Sequence, residues 1–347
     1  MRVGYIHFYG LGDNVFAIEP LFALKKIYNC EVIVFGNANM QSLLLHCNFV
    51  DFVHDVGGDI SNHISTINSY SLDYVILTNC KRCYLRPLEK TNARTIITTT
   101  KIPSLFSLRC KTIPIHLLPN YRSMSRYKQA LCFVRAINPK IFDSKINSIC
   151  LDDAKIQTTM LQKEKIKALI SNHINAASRV KEGGGGDNYA YILINPFSKT
   201  ANHTLPIESY LKIIWLIDNI QNYIPIVATY PEIHNDFMYS LEQWQNKTKC
   251  KIEKLLIFQN DNDILNLVAL IEQMQCVISP STGTIHLASN LCVPTIGLFS
   301  QYDTIRWSTK SNQYVILPKP KNDMSIDEIE TAITQTIQLL QTTINMS

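Results

Sequence analysis

The stretch spanning residues 276–300 constrains the fold of this chain most strongly. It starts with a short apolar run, is interrupted by the polar segment SPSTG at 279–283, continues with helical spacing and ends in a second apolar run at 295–299. This order predicts a strand, a turn, a helix and a second strand. A turn of Ser, Thr and Gly that opens a helix presents backbone N–H groups and the positive end of the helix dipole, which favours anionic ligands. An ordinary capped βαβ turn explains the same pattern.

The length of the chain, 347 residues, predicts two domains, because it exceeds one typical hydrophobic core. Residues 1–180 form the first expected domain. Four consecutive glycines within residues 181–188 mark a linker, since such a run is unfavourable in a helix or strand. Residues 189–324 form the second domain, and residues 325–347 a C-terminal helix that packs back on the first. Strands alternate with helices in both domains, which predicts an α/β fold with parallel, doubly wound, Rossmann-like sheets. The predicted strands include residues 2–8, 31–35 and 73–78 in the first domain and 191–195, 224–228 and 251–258 in the second, where residues 207–217 are a predicted helix.

A second turn of interest follows the first predicted strand, where Gly12 and Asp13 precede a helix predicted over residues 15–28. The pattern places Asp13 at or near the helix N-cap, with its carboxylate at the carboxyl edge of the sheet. Capping is the usual role of an Asp in this position. The sequence G-x-G-D lacks the third glycine of a dinucleotide-binding turn, so that ligand is not favoured.

Positive charge is concentrated in the first half of the chain. Residues 1–150 hold 17 Lys and Arg against 9 Asp and Glu, and residues 79–140 hold 13 against the single acid Glu89. Such a region suits an anionic partner, either a phosphorylated lipid, a membrane surface or a nucleic acid. A solvated basic surface without a ligand is the alternative. Nucleic acid is not expected, because no RRM, KH, helix-turn-helix or zinc-finger signature is present.

The ten cysteines are expected to be free thiols of a cytoplasmic protein. Only Cys80 and Cys83 form a C-x-x-C pair, and no second pair follows at ligand spacing, so no metal site is expected. No apolar run approaches the roughly 20 residues that span a bilayer, and the first residues lack the layout of a signal peptide.

Three segments together resemble glycosyltransferase family 9, the heptosyltransferase-like enzymes of lipopolysaccharide core assembly. The first is the Gly-Asp pair at 12–13 followed by PLFALKK at 20–26. The second is the turn NPFSKTANHTLP at 195–206, and the third is STGTIHLA at 281–288 with PTIGLF at 294–299. Each motif alone is weak, but their joint order and spacing are fairly specific to the family.

The resemblance implies a GT-B architecture, in which two Rossmann-like domains with parallel sheets face an interdomain cleft, the first binding the acceptor and the second a nucleotide sugar. It implies that Asp13 is the general base that accepts the proton of the acceptor hydroxyl during inverting transfer. The nucleoside diphosphate leaving group needs positive charge and N–H donors but no obligatory metal, and no cofactor is expected. The implied donor-binding residues are Ser198, Lys199, His203, Glu232, Ser281, Thr282, Gly283 and His286.

The implied acceptor is the phosphorylated lipid A-core of lipopolysaccharide or lipooligosaccharide, met at the cytoplasmic face of the inner membrane, to which the protein would bind peripherally. The expected acceptor-binding residues are Gly12, Arg109, Lys111, Arg122 and Arg126.

Two positions depart from the family pattern and leave the donor open. Ser281 stands where the family usually has Asp, and His203 stands where a Lys precedes a W-P pair. A serine carries no charge, and a histidine is only partly cationic near neutral pH. The donor is therefore ADP-heptose or a different nucleotide sugar. A catalytically inactive nucleotide-binding or scaffolding protein of GT-B shape is the alternative function.

Overall fold

The computed structural model of the protein describes residues 1–118, 120–178 and 189–346. The expected glycine linker, residues 181–188, lies outside the described residues. The chain divides into two compact units, Met1–Gln157 and Thr158–Ser347. Each unit contains a six-stranded parallel sheet.

The sheet of the first unit has the spatial order β3-β2-β1-β4-β5-β6, with all strands parallel. Its strands are β1 (Arg2–Ile6), β2 (Glu31–Gly36), β3 (Phe52–Asp55), β4 (Tyr74–Leu77), β5 (Thr95–Thr99) and β6 (Cys110–Ile113). From β1, the strands β2 and β3 are added on one side and β4 to β6 on the other, so the strand order switches direction between β1 and β4. In sheets of this order, ligands bind at that switch point, outside the carboxyl ends of the strands.

Helices connect these strands. They are α1 (Leu11–Val15), α2 (Ile18–Tyr28), α3 (Ala38–Leu44), α4 (Ile64–Ser69), α5 (Arg82–Glu89), α6 (Ile102–Leu105), α7 (Arg126–Arg135) and α8 (Pro139–Lys145), with 3-10 turns at Ile60–His63, Ile115–Leu117, Tyr121–Ser123, Ile146–Ser148 and Leu151–Asp153. The sequence predicts one helix over residues 15–28, but the structure has two. Pro20 explains the break, because its ring nitrogen cannot donate to the carbonyl of Phe16.

The second sheet repeats the topology of the first, with the order β12-β11-β10-β7-β8-β9 and all strands parallel. Its strands are β7 (Ala190–Ile194), β8 (Tyr223–Thr229), β9 (Leu256–Gln259), β10 (Cys276–Pro280), β11 (Thr295–Phe299) and β12 (Gln313–Ile316). Its switch point therefore lies between β7 and β10. The helices are α9 (Met160–Ser178), α10 (Ile207–Asp218), α11 (Pro231–Thr248), α12 (Ile264–Ile271), α13 (Gly283–Asn290), α14 (Gln301–Arg306) and α15 (Ile326–Met346).

The unit boundary falls before α9, earlier than the expected boundary in the glycine run. α9 packs on α12 of the second unit. Residues at and just before its start also hydrogen-bond there, with Thr158 Oγ1 3.1 Å from Glu272 Oε2 and Gln162 Nε2 3.2 Å from Asp263 Oδ2. These contacts assign α9 to the second unit.

The C-terminal helix α15 packs on the second unit, whereas the sequence analysis expects it on the first. It lies against α10, and its buried residues Ala332, Ile333 and Leu340 belong to the second hydrophobic core. Lys212 of α10 and Glu330 of α15 form an ion pair beside this contact. The apolar face of α15 completes the core of its own unit. None of the helices among the described residues is long and apolar enough to cross a membrane.

Candidate active site

Two polar side chains connect the loops at the first switch point. His7 follows β1 and Thr78 follows β4, and His7 Nδ1 lies 3.0 Å from Thr78 Oγ1. The other ring nitrogen, Nε2, lies 3.1 Å from the carbonyl oxygen of Asp13. A carbonyl oxygen only accepts, so Nε2 carries the proton and Nδ1 of the neutral ring is an acceptor. The single proton of the Thr78 hydroxyl has two acceptors within reach, this Nδ1 and the Ile6 carbonyl oxygen at 3.1 Å. His7 thereby fixes the backbone of Asp13 at the carboxyl edge of the sheet.

Burial keeps the His7 ring neutral at physiological pH. The residue is 8% exposed, and the loss of hydration lowers its pKa to about 4. The ring of Tyr9 packs against it at a centroid distance of 4.6 Å. The pKa of Tyr9 is raised, first by burial and then by the negative charge of Asp13. Asp13 thus lies beside a neutral imidazole and a protonated phenol.

Asp13 is in the first turn of α1, whose N-cap is Gly10. The N-cap position is thus occupied by a glycine, and Asp13, half-buried, stands three residues into the turn. A carboxylate there is stabilised by the positive end of the helix dipole. The carboxylate does not serve as the N-cap itself, which weakens the interpretation of Asp13 as a cap.

Arg126, at the start of α7, lies close to the same switch point. Burial has the largest effect on two neighbouring groups, lowering the pKa of His7 and raising that of Tyr9. The positive charge of Arg126 has a smaller effect and lowers both pKa values. The next residue, Tyr127, packs edge-on against Phe16 at a ring distance of 4.4 Å, which holds the start of α7 beside the α1–α2 junction. Of the basic residues expected to bind the acceptor, Arg126 is the one that the fold brings towards Asp13.

Arg109 has a structural role that the sequence analysis missed. Its guanidinium donates to the carbonyl oxygens of Glu89, at 2.7 Å, Thr91, at 2.9 Å, and Ala93. These carbonyls follow the end of α5, so Arg109 closes the α5–β5 connection. Three backbone contacts on one guanidinium indicate a structural tie and do not support the expected contact with the acceptor.

The other two expected acceptor residues are solvent-exposed. Lys111 lies on β6, the edge strand of the sheet, and Arg122 lies in the 3-10 turn Tyr121–Ser123 that leads towards α7. Gly12, the remaining one, adjoins Asp13 within α1.

At the second switch point, Asn195 joins β7 to β10. It is 7% exposed, and its side-chain amide donates to Ser279 Oγ at 3.0 Å and to Thr282 Oγ1 at 2.9 Å. Its Oδ1 accepts from the backbone N–H of Phe197 at 3.2 Å. One amide therefore fixes both loops of the switch point. The sequence analysis included Asn195 in a motif without giving it a role, although a polar residue directly after a buried strand was a usable signal.

The start of α13 is shaped by the same contacts. Thr282 is its N-cap, but its side chain makes no capping hydrogen bond to the helix and is held instead by Asn195 and Ser279. The N–H groups of the first turn, which begins at Gly283, are thus not capped by the threonine hydroxyl. Ser281, half-buried, precedes them. This arrangement gives an anion access to backbone donors at the carboxyl edge of the sheet.

The remaining donor residues expected from sequence lie on the loops after β7 and β8. Lys199 is exposed, and its Nζ lies 5.6 Å from the ring centroid of Tyr230. Ser198 Oγ accepts from the backbone N–H of Ala201 at 2.8 Å, which shapes the turn. Glu232 is exposed in the first turn of α11, and His203 is half-buried. Lys199 is the cation of this group.

His286, expected from the resemblance to help bind the donor, is buried and neutral. It is 3% exposed, and burial lowers its pKa to about 3, so the ring is neutral. It lies beside Trp307 with a ring distance of 6.2 Å. Packing inside the second unit is the role that these observations support.

Among the described residues, no group of three or more His, Cys, Asp and Glu side chains is arranged to hold a metal ion. Cys80 is buried and Cys83 exposed, and both are free thiols.

Comparison with solved structures identifies the architecture. The chain is 14% identical to a glycosyltransferase family 9 protein from Veillonella parvula, with a TM-score of 0.73 and coverage of 100% of this chain and 98% of that one. It is 14% identical to the ADP-heptose lipopolysaccharide heptosyltransferase II of E. coli, with a TM-score of 0.66 and coverage of 97% and 100%. For E. coli heptosyltransferase WaaC with ADP-2-deoxy-2-fluoro heptose, the identity is 13%, the TM-score 0.62 and the coverage 97% and 99%.

These similarities confirm the predicted fold class, two Rossmann-like α/β domains with parallel sheets as in GT-B heptosyltransferases. A comparison with curated protein sequences found no match. The family model of glycosyltransferase family 9 (heptosyltransferase) matches residues 153–336. This match covers more than half of the chain and includes the α13 turn, and the chain therefore belongs to glycosyltransferase family 9.

Proposed function

We propose that this protein is an inverting glycosyltransferase that moves a heptose or related sugar from a nucleotide sugar to the core of lipopolysaccharide or lipooligosaccharide. The observation that carries the proposal is the matched position of two motifs. Asp13 and the segment Ser281–Thr282–Gly283 each follow a strand at the topological switch point of a sheet of the same order. Sheets of this order bind ligands at that point.

Asp13 is the general base in this proposal. Its carboxylate accepts the proton of the acceptor hydroxyl while that oxygen attacks the anomeric carbon from the face opposite the leaving group, which inverts the configuration. His7 is a positioning residue, because its Nε2–H holds the Asp13 carbonyl and so fixes the backbone that carries the carboxylate. A neutral His7 serves this role over the whole physiological range of pH.

The second unit holds the nucleotide sugar in this proposal. The N–H groups at the start of α13, near Thr282 and Gly283, face the diphosphate, and the Lys199 ammonium adds positive charge. These groups stabilise the charge that develops on the departing nucleoside diphosphate, so the proposed reaction needs no metal or cofactor. His203 and Glu232, on neighbouring loops, contact the sugar or nucleoside in this scheme. ADP-heptose-related donors are suggested by the WaaC structure, which contains an ADP-heptose analogue.

The acceptor is proposed to be a phosphorylated lipid A-core that reaches the first unit from the cytoplasmic face of the inner membrane. Arg126 supports this part of the proposal, since its charge acts on the two residues that flank Asp13. Lys111 and Arg122 are exposed and basic, and they add to the attraction for a polyanionic lipid. Arg109 is left out of the proposed contact because its guanidinium is bound to the backbone.

Ser281 is proposed to decide the choice of donor. A serine hydroxyl hydrogen-bonds a sugar hydroxyl without adding negative charge, so it discriminates among donors differently from the Asp usual in the family. With the substitution at His203, it leaves two classes of donor, ADP-heptose and another nucleotide sugar, and the second candidate function is a nucleotide-binding protein of this fold without catalysis.

A donor panel tests the proposal. The purified protein is heated with ADP-, UDP- and GDP-sugars, and a bound donor is expected to raise the melting temperature with increasing concentration. Each stabilising donor is then incubated with purified core acceptors, and transfer is detected as the added sugar mass. Stabilisation followed by transfer supports the glycosyltransferase. Binding without transfer supports the second candidate, and the absence of any stabilisation contradicts both.

A further inference from the structure

Helix α6 has its polar and apolar sides reversed. Ser104 is 1% exposed, whereas Ile102 is 74% exposed and Leu105 61% exposed. The Ser104 hydroxyl faces two carbonyl acceptors, Lys101 at 2.8 Å and Thr99 at the end of β5 at 3.1 Å, and accepts from the Lys101 N–H at 3.0 Å. A surface helix normally buries its apolar side chains. α6 is instead fastened by a serine and directs its large apolar side chains to solvent.

The apolar exposure continues beyond the helix. Phe106 is 87% exposed and Leu108 is fully exposed, and both lie in the short connection between α6 and β6. With Ile102 and Leu105, they place four large apolar side chains within seven residues of chain. Single exposed apolar residues are common, but such a concentration marks an interaction site.

Exposed positive charges surround this segment. Residues 79–111 contain eight Lys and Arg and one acid, Glu89. Arg94 pairs with Asp73 and Arg109 is bound to carbonyls, but the other six are exposed. They are Lys81, Arg82, Arg86, Lys90, Lys101 and Lys111, and four of them lie on or next to α5, which packs beside α6.

We propose that the segment 102–108 is a membrane-inserting element that binds anionic bilayers. The side chains of Ile102, Leu105, Phe106 and Leu108 enter the interface between headgroups and acyl chains, and the six basic residues contact the anionic headgroups. This inference rests on the proposed function only in that the membrane carries the proposed acceptor. Binding itself requires neither donor nor Asp13.

The charge favours a bilayer over a second copy of this chain. A twofold contact through this surface would bring six positive charges against the same six, and like charges across an interface are unfavourable. An anionic bilayer offers both an apolar interior for the side chains and negative charge for the flanking residues.

Vesicle binding of the full chain tests the proposal. The probes are vesicles of phosphatidylglycerol and phosphatidylcholine at about 1:3, with pure phosphatidylcholine as the uncharged comparison, sedimented without donor. Phe106→Ser with Leu108→Ser is expected to weaken binding roughly tenfold to hundredfold, from lost apolar burial. Arg82→Gln with Arg86→Gln is expected to weaken it about fivefold per residue at low salt. The matched control Ile326→Ser, at a 79% exposed residue of the second unit, is expected to leave binding unchanged.

Depth is measured with tryptophan introduced at position 106. Vesicles with brominated acyl chains are expected to quench the emission of Phe106→Trp beyond that of the unsubstituted protein, whereas Ile326→Trp gains no quenching. Unaltered circular dichroism spectra show that the variants fold. Equal vesicle binding by the Phe106/Leu108 variant, or no added quenching at position 106, would overturn the proposal. A dimer that these substitutions dissociate would also overturn it, in favour of a second copy. Because no donor is present, these outcomes are independent of whether the protein transfers sugar.

Discussion

Replacement of Asn195 by Ala is predicted to weaken both the second unit and its donor binding. The side chain makes three hydrogen bonds at a nearly buried site, to Ser279, Thr282 and the N–H of Phe197. With about 1 kcal/mol net for each bond and an added cost for buried partners left unsatisfied, the loss is roughly 2 to 4 kcal/mol. In a unit of this size, this corresponds to a decrease of roughly 5 to 15 °C in melting temperature.

The same variant should bind a nucleotide sugar about tenfold more weakly. Without Asn195, the Thr282 oxygen keeps its contact with Ser279 but loses one donor, so it is available to accept from an N–H of α13 that the proposed diphosphate uses. The loss of one hydrogen bond to a charged group is worth about 1.5 kcal/mol or more, which is about tenfold in affinity. Titration of the melting temperature with the nucleotide sugar that stabilises the unsubstituted protein measures this effect.

Thr295→Val is the matched control for this experiment. Thr295 is fully buried and donates to Thr309 Oγ1 at 2.9 Å, at the amino end of β11 and hence on the opposite edge of the sheet. Thr295→Val should lower the free energy of unfolding by about 1 kcal/mol and leave the donor affinity unchanged. An unchanged donor affinity in Asn195→Ala, or an equal loss in Thr295→Val, would refute the assignment of the donor site to the second switch point.

Three further predictions concern charge and burial. Burial holds the pKa of His7 at about 4 and that of His286 at about 3, whereas a histidine in an unfolded chain has a pKa of roughly 6.5. The unfolded state therefore binds more protons, and the free energy of unfolding falls as the pH decreases below about 6.5. At a pH of about 4.5, each histidine should have lowered the free energy of unfolding by roughly 2 to 3 kcal/mol. Urea unfolding should show that acidification destabilises His286→Gln less than the unsubstituted protein. An equal destabilisation of the two proteins would contradict this. Arg109→Gln should lower stability by roughly 2 to 4 kcal/mol, since three carbonyls lose their donor, whereas Lys111→Gln leaves the urea midpoint unchanged and weakens acceptor binding. Lys199→Ala should weaken nucleotide-sugar binding most at low salt, because salt screens the attraction of the ammonium in the unsubstituted protein. Equal salt dependence of binding in Lys199→Ala and the unsubstituted protein would argue against a phosphate contact.

The long, strongly patterned elements were predictable from the sequence. β11 was predicted with the bounds that the structure has, and α10 within one residue. The two edge strands of the first sheet, β3 and β6, were missed. β3 and β6 are only partly buried on any face, so they lack both the apolar run of a central strand and clear alternation. β5, with the sequence TIITT, is buried, and its Thr98 hydroxyl is satisfied by the Leu77 carbonyl at 2.8 Å, which polarity alone does not predict.

The positions of the site motifs were also predictable, because a turn after a strand has to lie at the carboxyl edge of a parallel sheet. The roles of single side chains were less so. Arg109 and His286 have the residue types of an anion site, but one is bound to backbone carbonyls and the other is buried. The hydrogen bonding of Arg109 and the burial of His286 depend on contacts with residues distant in sequence. Asn195 and His7 link loops in the same way, and pattern reasoning from one sequence does not detect such links.

The central claim, that the first switch point holds the base of a glycosyl transfer, is tested most directly by the transfer rate of Asp13→Asn. The amide keeps the shape of the side chain but does not accept the hydroxyl proton, so the rate should fall by roughly 10² to 10⁴ while the donor-induced rise in melting temperature stays the same. Asp55→Asn, an exposed carboxylate at the end of β3 on the same edge of the sheet, should keep full activity. Transfer by Asp13→Asn at the rate of the unsubstituted protein would contradict the claim.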